Sequence, residues 1–188
     1  MKTPVLLATI LLCTMPGCVL EWDNKPSANN ATSDSSLIGE YYTQDSKGVR
    51  RDATIARSDD RDYPFAATFT IDKEPVTFLF QTYKIGNTRL IFVKAIENVS
   101  KEHLVFRYNV TRTQVAIEMV GESFFKENPK ALPGTKIETT TSEKYNVKTT
   151  KVRIVSKPTQ IDAFFLLHGE SDEIYDTNDP MLLNRIGT

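Results

Sequence analysis

The side chains able to do chemistry in this 188-residue chain are few and scattered. His103 and His168 are its only imidazoles. Either could serve as a general base beside a serine, or both could join carboxylates around zinc. Neither stands in an HExxH or G-x-S-x-G setting, the spacings at which local structure brings such groups together. The plainer reading makes His168 a helix-terminal residue favoured by the helix dipole and His103 an exposed one. The acidic runs Glu170-Ser171-Asp172-Glu173 and Asp176-Thr177-Asn178-Asp179 offer oxygen ligands. They lack the central Gly and terminal Glu of a calcium loop, and so read as solvated loop ends. No catalytic set, metal site or cofactor is expected from these residues, and the type of any bound ligand is not legible in them.

Cysteine is the exception. A single Lys2 leads an apolar run from Val5 to Leu12, and the run continues through Cys13 into Gly17-Cys18. This is the pattern of a secretory signal. It is too short to cross a bilayer as a helix, which takes about 20 apolar residues. The ending Met15-Pro16-Gly17-Cys18 resembles the lipobox of bacterial lipoproteins, in which Leu, a small residue and Gly or Ala precede the cysteine that becomes the new N-terminus. Gly17 fits the last position, Met15 stands for the Leu, and Pro16 departs from the pattern. The resemblance implies removal of residues 1–17 and lipidation of Cys18 with a diacylglyceryl thioether and an amide-linked acyl chain. Cys13 would leave with the signal, so Cys18 would be the only thiol of the mature chain. A lone free thiol suits an oxidising compartment poorly; a lipidated one raises no such difficulty. The implied location is the cell envelope, anchored by lipid to the bacterial outer membrane and facing the periplasm. The last step follows from Val19 after the cysteine, by analogy with enterobacterial sorting. An ordinary signal releasing a soluble secreted protein is the alternative.

Residues 18–35 are rich in Ser, Asn, Asp and Thr and read as a lipidated Cys with a flexible tether of roughly 20–25 Å. Trp22, the only tryptophan, could sit at the membrane interface or pack on the domain. Residues 36–188 then form a single β-rich globular domain. Without Lys2 the mature chain has a net charge near −2. That balance is not the clustered basic surplus of a nucleic-acid binder. The mixed-sign cluster Arg57-Ser58-Asp59-Asp60-Arg61-Asp62 reads as a solvated turn.

Period-two alternation dominates the middle of the chain. Phe65–Ile71, Val76–Tyr83, Arg89–Ala95, Leu104–Val110 and Gln114–Val120 read as successive strands on short connections, an antiparallel meander. Lys136–Thr141 and Tyr145–Val155 read as a hairpin with a Thr-rich turn. A short helix is expected at Glu122–Pro129. A longer one follows Ser156, with Pro158 in its first turn, a Thr159–Asp162 capping box, an apolar stripe of Ile161, Phe164 and Phe165, and Gly169 as its stop. The sum is a mainly β fold: an antiparallel meander forming a lipocalin-like barrel or strongly curved sheet, with a C-terminal helix. An α+β open sheet with the helix packed on one face is the alternative. Leu37-Ile38-Gly39-Glu40-Tyr41-Tyr42 resembles the Gly-x-Trp opening of lipocalins, with Gly39 matching and Tyr41 in place of Trp. The late helix after a strand is similar to small bacterial lipoproteins with a lipocalin-like β domain.

These readings lead to a lipid-anchored, non-enzymatic binding or accessory module whose partners are the membrane and an envelope protein or component. The alternative is a carrier of a small apolar ligand, in which Phe78, Phe80, Phe92 and Phe106 would line a cavity instead of filling a core. A third option is an envelope hydrolase built on His103 or His168.

Overall fold

The computed structural model describes residues 20–44, 48–71, 73–94, 103–142 and 147–187. Cys18, with the lipobox-like residues before it, and the Thr-rich hairpin's turn at 143–146 lie outside them. In chain order the elements begin with two short strands, β1 (Leu20–Trp22) and β2 (Ala31–Thr32). A meander follows: β3 (Gly39–Gln44), β4 (Arg50–Arg57), β5 (Phe65–Ile71), β6 (Glu74–Ile85), β7 (Thr88–Lys94), β8 (His103–Val110) and β9 (Gln114–Val120). Then come α1 (Glu122–Glu127), the hairpin β10 (Thr135–Ser142) and β11 (Val147–Ile154), α2 (Pro158–His168) and a last strand, β12 (Tyr175–Arg185).

From β3 to β9 each strand pairs antiparallel with the next. β12 enters antiparallel between β9 and β3 and closes the ring. The result is a closed eight-stranded antiparallel barrel, lipocalin-like in its up-and-down order, with a helix near the C-terminus. Closure excludes the open sheet. The strands are strongly staggered: β6 pairs with β5 up to Phe80 and with β7 from Phe80 onward. β2 fills the edge of β6 that β5 leaves, at Thr82 and Tyr83.

Side-chain alternation explains why the middle strands are apolar on both faces. In β5 only one face is buried, with Phe65, Ala67, Phe69 and Ile71 turned into the barrel. In β7 the run Leu90-Ile91-Phe92-Val93 is continuous because Ile91 and Val93 face the barrel while Leu90 and Phe92 face a second core outside it. That outer core is roofed by α1, α2, β1 and β11. Trp22 lies at its centre, fully buried among Phe92, Phe125, Phe164 and Phe165 at centroid distances of 6.2, 5.8, 6.4 and 5.5 Å.

Three expectations from sequence are corrected here. Residues 20–35 are not a free tether. β1 pairs in parallel with β11 and meets β8 at His103, and Ser27 N–H donates to Asp162 on α2 at 3.1 Å. The polar composition of the segment is offset by Leu20 and Trp22, with Leu37 just beyond it, each buried. The start of α2 is capped differently as well: Gln160 Oε1 accepts from Lys157 N–H at 2.8 Å, leaving Asp162 for Ser27. Finally, Asp176–Asp179 are not loop ends but part of β12, whose pairing with β9 is interrupted by a bulge between Asp176 and Met181. Pro180 in that bulge hides the strand from a period-two reading.

Candidate functional site

The barrel interior is the place where a small ligand would lie. Sixteen buried side chains among the described residues fill it, including Phe65 stacked on Phe80 at 5.3 Å and Phe69 edge-on to Phe78 at 5.9 Å. Phe78, Phe80 and Phe106 belong to this core, whereas Phe92 lies in the outer one, so the four do not line one cavity.

One end of the barrel is stoppered by a 3-10 turn, Ser35–Leu37. Leu37 is fully buried inside, and its carbonyl accepts from the Tyr41 hydroxyl at 2.6 Å. Asp34 caps the turn: Oδ1 accepts from Ser36 N–H at 3.0 Å, and Oδ2 accepts from the Tyr108 hydroxyl at 2.8 Å. Burial works to raise the Asp34 pKa, but the bonds from Ser36 and Tyr108, with Arg89 at 3.9 Å, hold it below the usual carboxylate value. Arg185 grips the same turn through the Ser36 and Ile38 carbonyls and lies over the Tyr41 ring at 5.2 Å. Gly39 and Tyr41 therefore stand at the closed end of the barrel.

Outside this end are two open clefts of about 210 and 230 Å³. The first is lined by Thr32, Ser33, Asp34, Lys84, Arg89 and Tyr108; the second shares Arg89 and includes Arg107, Asn109 and Glu170. Their cations are largely engaged. Arg107 donates to Glu118 and Asp172, each at 2.7 Å, and lies 4.0 Å over the Tyr175 ring. The acidic residue Asp172 is thus an ion-pair partner in this structure.

The two histidines stand in different settings. His103 is buried, 5% exposed, contrary to the expectation of an exposed side chain. Its Nε2 lies 2.7 Å from the Tyr63 hydroxyl and its Nδ1 3.0 Å from the Trp22 carbonyl, so both ring nitrogens are occupied. Burial lowers its pKa; the Trp22 carbonyl opposes this and Lys25 adds to it. His168 ends α2 as expected, packed on Phe164 at 5.1 Å and Phe124 at 5.8 Å. Among the described residues no group of three or more His, Cys, Asp or Glu gathers as a metal site. Nor is any helix among them long and apolar enough to cross a membrane.

Sequence reasoning missed Tyr63. Its signal is Tyr63-Pro64 directly after the charged turn, an aromatic two residues ahead of the alternating run that starts at Phe65. Fold and sites together define a closed antiparallel β-barrel carrying a second, external aromatic core. No family model matches the chain, and comparison with curated proteins and with solved structures returns no match.

Proposed function

We propose that the chain is a lipid-anchored cell-envelope protein acting as a non-enzymatic binding or accessory module for a protein or envelope component. The observation that carries this reading is the filled barrel. A carrier of this fold needs an internal void, and here aromatic side chains from β5, β6 and β8 occupy that volume. The engagement of both His103 nitrogens speaks in the same direction, against use of that ring as a base. The anchor rests on Gly17-Cys18 and on the absence of any other cysteine after position 18.

Two measurements test it. Metabolic labelling with a palmitate analogue is expected to mark the wild type and not Cys18→Ser; an unlabelled wild type in the soluble fraction would overturn the anchor. Native mass spectrometry of the delipidated domain is expected to give the mass of the protein alone. A retained apolar molecule would replace the accessory reading with the carrier.

A further inference from the structure

The start of β1 fixes how an anchored domain would sit. β1 runs parallel to β11, with Leu20 opposite Val152 and Trp22 opposite Ile154. The chain therefore comes into β1 from the side on which β11 extends back from Val152 to Val147. Only Val19 separates Leu20 from Cys18, and two residues of fully extended chain reach at most about 7 Å. On that same side the β10–β11 ladder continues from the Ile137–Val152 pair to the Ser142–Val147 pair. This is roughly 16 Å of strand. The ladder is longer than that reach, so an anchor at Cys18 would bring the hairpin up to the bilayer.

The composition of this unit suits a headgroup layer. Residues 122–142 and 147–157, covering α1, the hairpin and the segment leading into α2, carry seven Lys or Arg and three Glu. That is a net +4 in a chain of net −1, leaving −5 for the remainder. Arg153 is paired with Asp23 at 2.6 Å and Lys126 with Glu122 at 2.7 Å. Lys130, Lys136, Lys148, Lys151 and Lys157 supply the surplus, against Glu127 and Glu138. The hairpin strands are otherwise mostly Thr, polar and uncharged, and lack the apolar run needed to enter the acyl region.

We infer that the α1–β10–β11 unit is the membrane-facing side of the domain and binds an anionic bilayer surface through its lysines; the geometry rests on the lipid-anchor reading above. The domain then lies flush on the membrane and presents the opposite side of the barrel, with the β3–β4–β5 strands, to its partner.

The test uses residues 18–188 with Cys18→Ser, which keeps every described element and removes both the signal and the anchor. Vesicles of phosphatidylcholine are compared with vesicles holding about 30% phosphatidylglycerol, each lysine near an anionic surface being worth roughly fivefold in affinity. Binding to the anionic vesicles is expected to be at least about tenfold tighter, and to weaken with salt. The quadruple variant Lys130→Gln, Lys136→Gln, Lys148→Gln, Lys151→Gln should lose that preference. The variant Arg61→Gln, Lys73→Gln, Lys84→Gln, Arg112→Gln, equal in charge change, should retain it. Near-ultraviolet circular dichroism from Trp22 verifies that both remain folded. Equal binding to the two vesicles, or equal loss in both quadruple variants, overturns the inference. Neither result touches the anchor, which the palmitate label reads separately.

Discussion

Tyr63 donates a hydrogen bond to His103, and the direction of that 2.7 Å bond is decided on the far side of the ring. Nδ1 faces the Trp22 carbonyl at 3.0 Å, and a carbonyl only accepts, so Nδ1 carries the proton. In the neutral ring Nε2 is then the acceptor. Tyr63 comes from the connection between β4 and β5, His103 opens β8 and Trp22 ends β1. One imidazole thus ties three segments that are distant in sequence.

That arrangement makes stability depend on pH with a definite sign. Burial, partly offset by the Trp22 carbonyl, sets the folded His103 below its ordinary value of 6.5. The unfolded chain therefore binds the proton first, and folding is favoured most above that value. As pH falls through the lower, folded value this contribution is lost. Melting temperature is expected to decline as pH falls below about 6.5 in the wild type, and to decline less in His103→Gln. Parallel curves for the two proteins would remove His103 from the account. Tyr63→Phe leaves Nε2 without a donor and is expected to cost about 1–3 kcal/mol near neutral pH.

Trp22 separates shape from polarity in the outer core. Its ring is fully buried among four phenylalanines, yet its indole N–H has no hydrogen-bond partner among the described residues. Trp22→Ala is expected to cost about 3–5 kcal/mol, the range for deleting a large buried aromatic. Trp22→Phe keeps an aromatic in place and removes an unsatisfied donor, so its cost should be less than half of that. Chemical denaturation measures both. Equal costs would mean that the indole makes a polar contact not seen here.

Much of the barrel was legible in the sequence because alternation reports burial on one face directly. The strands from β5 to β9 fall within one or two residues of the alternating runs. β1 and β12 were not legible, and for different reasons. β1 has three residues and is held by its partners β8 and β11, which no local pattern reveals. β12 is broken by Pro180 and a bulge, so its acidic first half looks like a loop. His103 was legible as a chemical group and misread in its surroundings, since the Tyr63 bond spans forty positions of sequence. Gly169 was legible as the stop of α2. Its further constraint is tertiary: a Cβ there would collide with Thr88 Oγ1 and the Phe165 carbonyl.

Arg107 and Glu118 face each other across β8 and β9, and both side chains are mostly shielded, at 14% and 15% exposure. Asp172, the second carboxylate on Arg107, is 77% exposed. Shielding decides which pair matters, because water screens an exposed ion pair to well under 1 kcal/mol. A double-mutant cycle of Arg107→Met with Glu118→Gln is expected to give a coupling of about 1–2 kcal/mol. The same cycle with Asp172→Asn should give less than about 0.5 kcal/mol. The reverse order would show that Asp172, not Glu118 on β9, is the carboxylate that holds Arg107.

The stopper at the closed end of the barrel joins an apolar plug to a polar clasp, and the two should differ in weight. Leu37→Ala empties a fully buried site and is expected to cost about 2–5 kcal/mol. Asp34→Asn keeps one acceptor oxygen, for Ser36, but puts an amide N–H2 against the Tyr108 hydroxyl and loses the charge, and should cost about 1–2 kcal/mol. Because the folded Asp34 sits below its ordinary value of 3.8, its contribution is present above that pH and is lost as pH falls through the folded value. Amide exchange reads the plug directly. Ile38 N–H, bonded to the Ser35 carbonyl at 3.1 Å, should exchange slowly in the wild type, as the barrel ladder does, and quickly in Leu37→Ala. Fast exchange at Ile38 in the wild type would mean that the turn opens independently of the barrel, and that Leu37 does not close it.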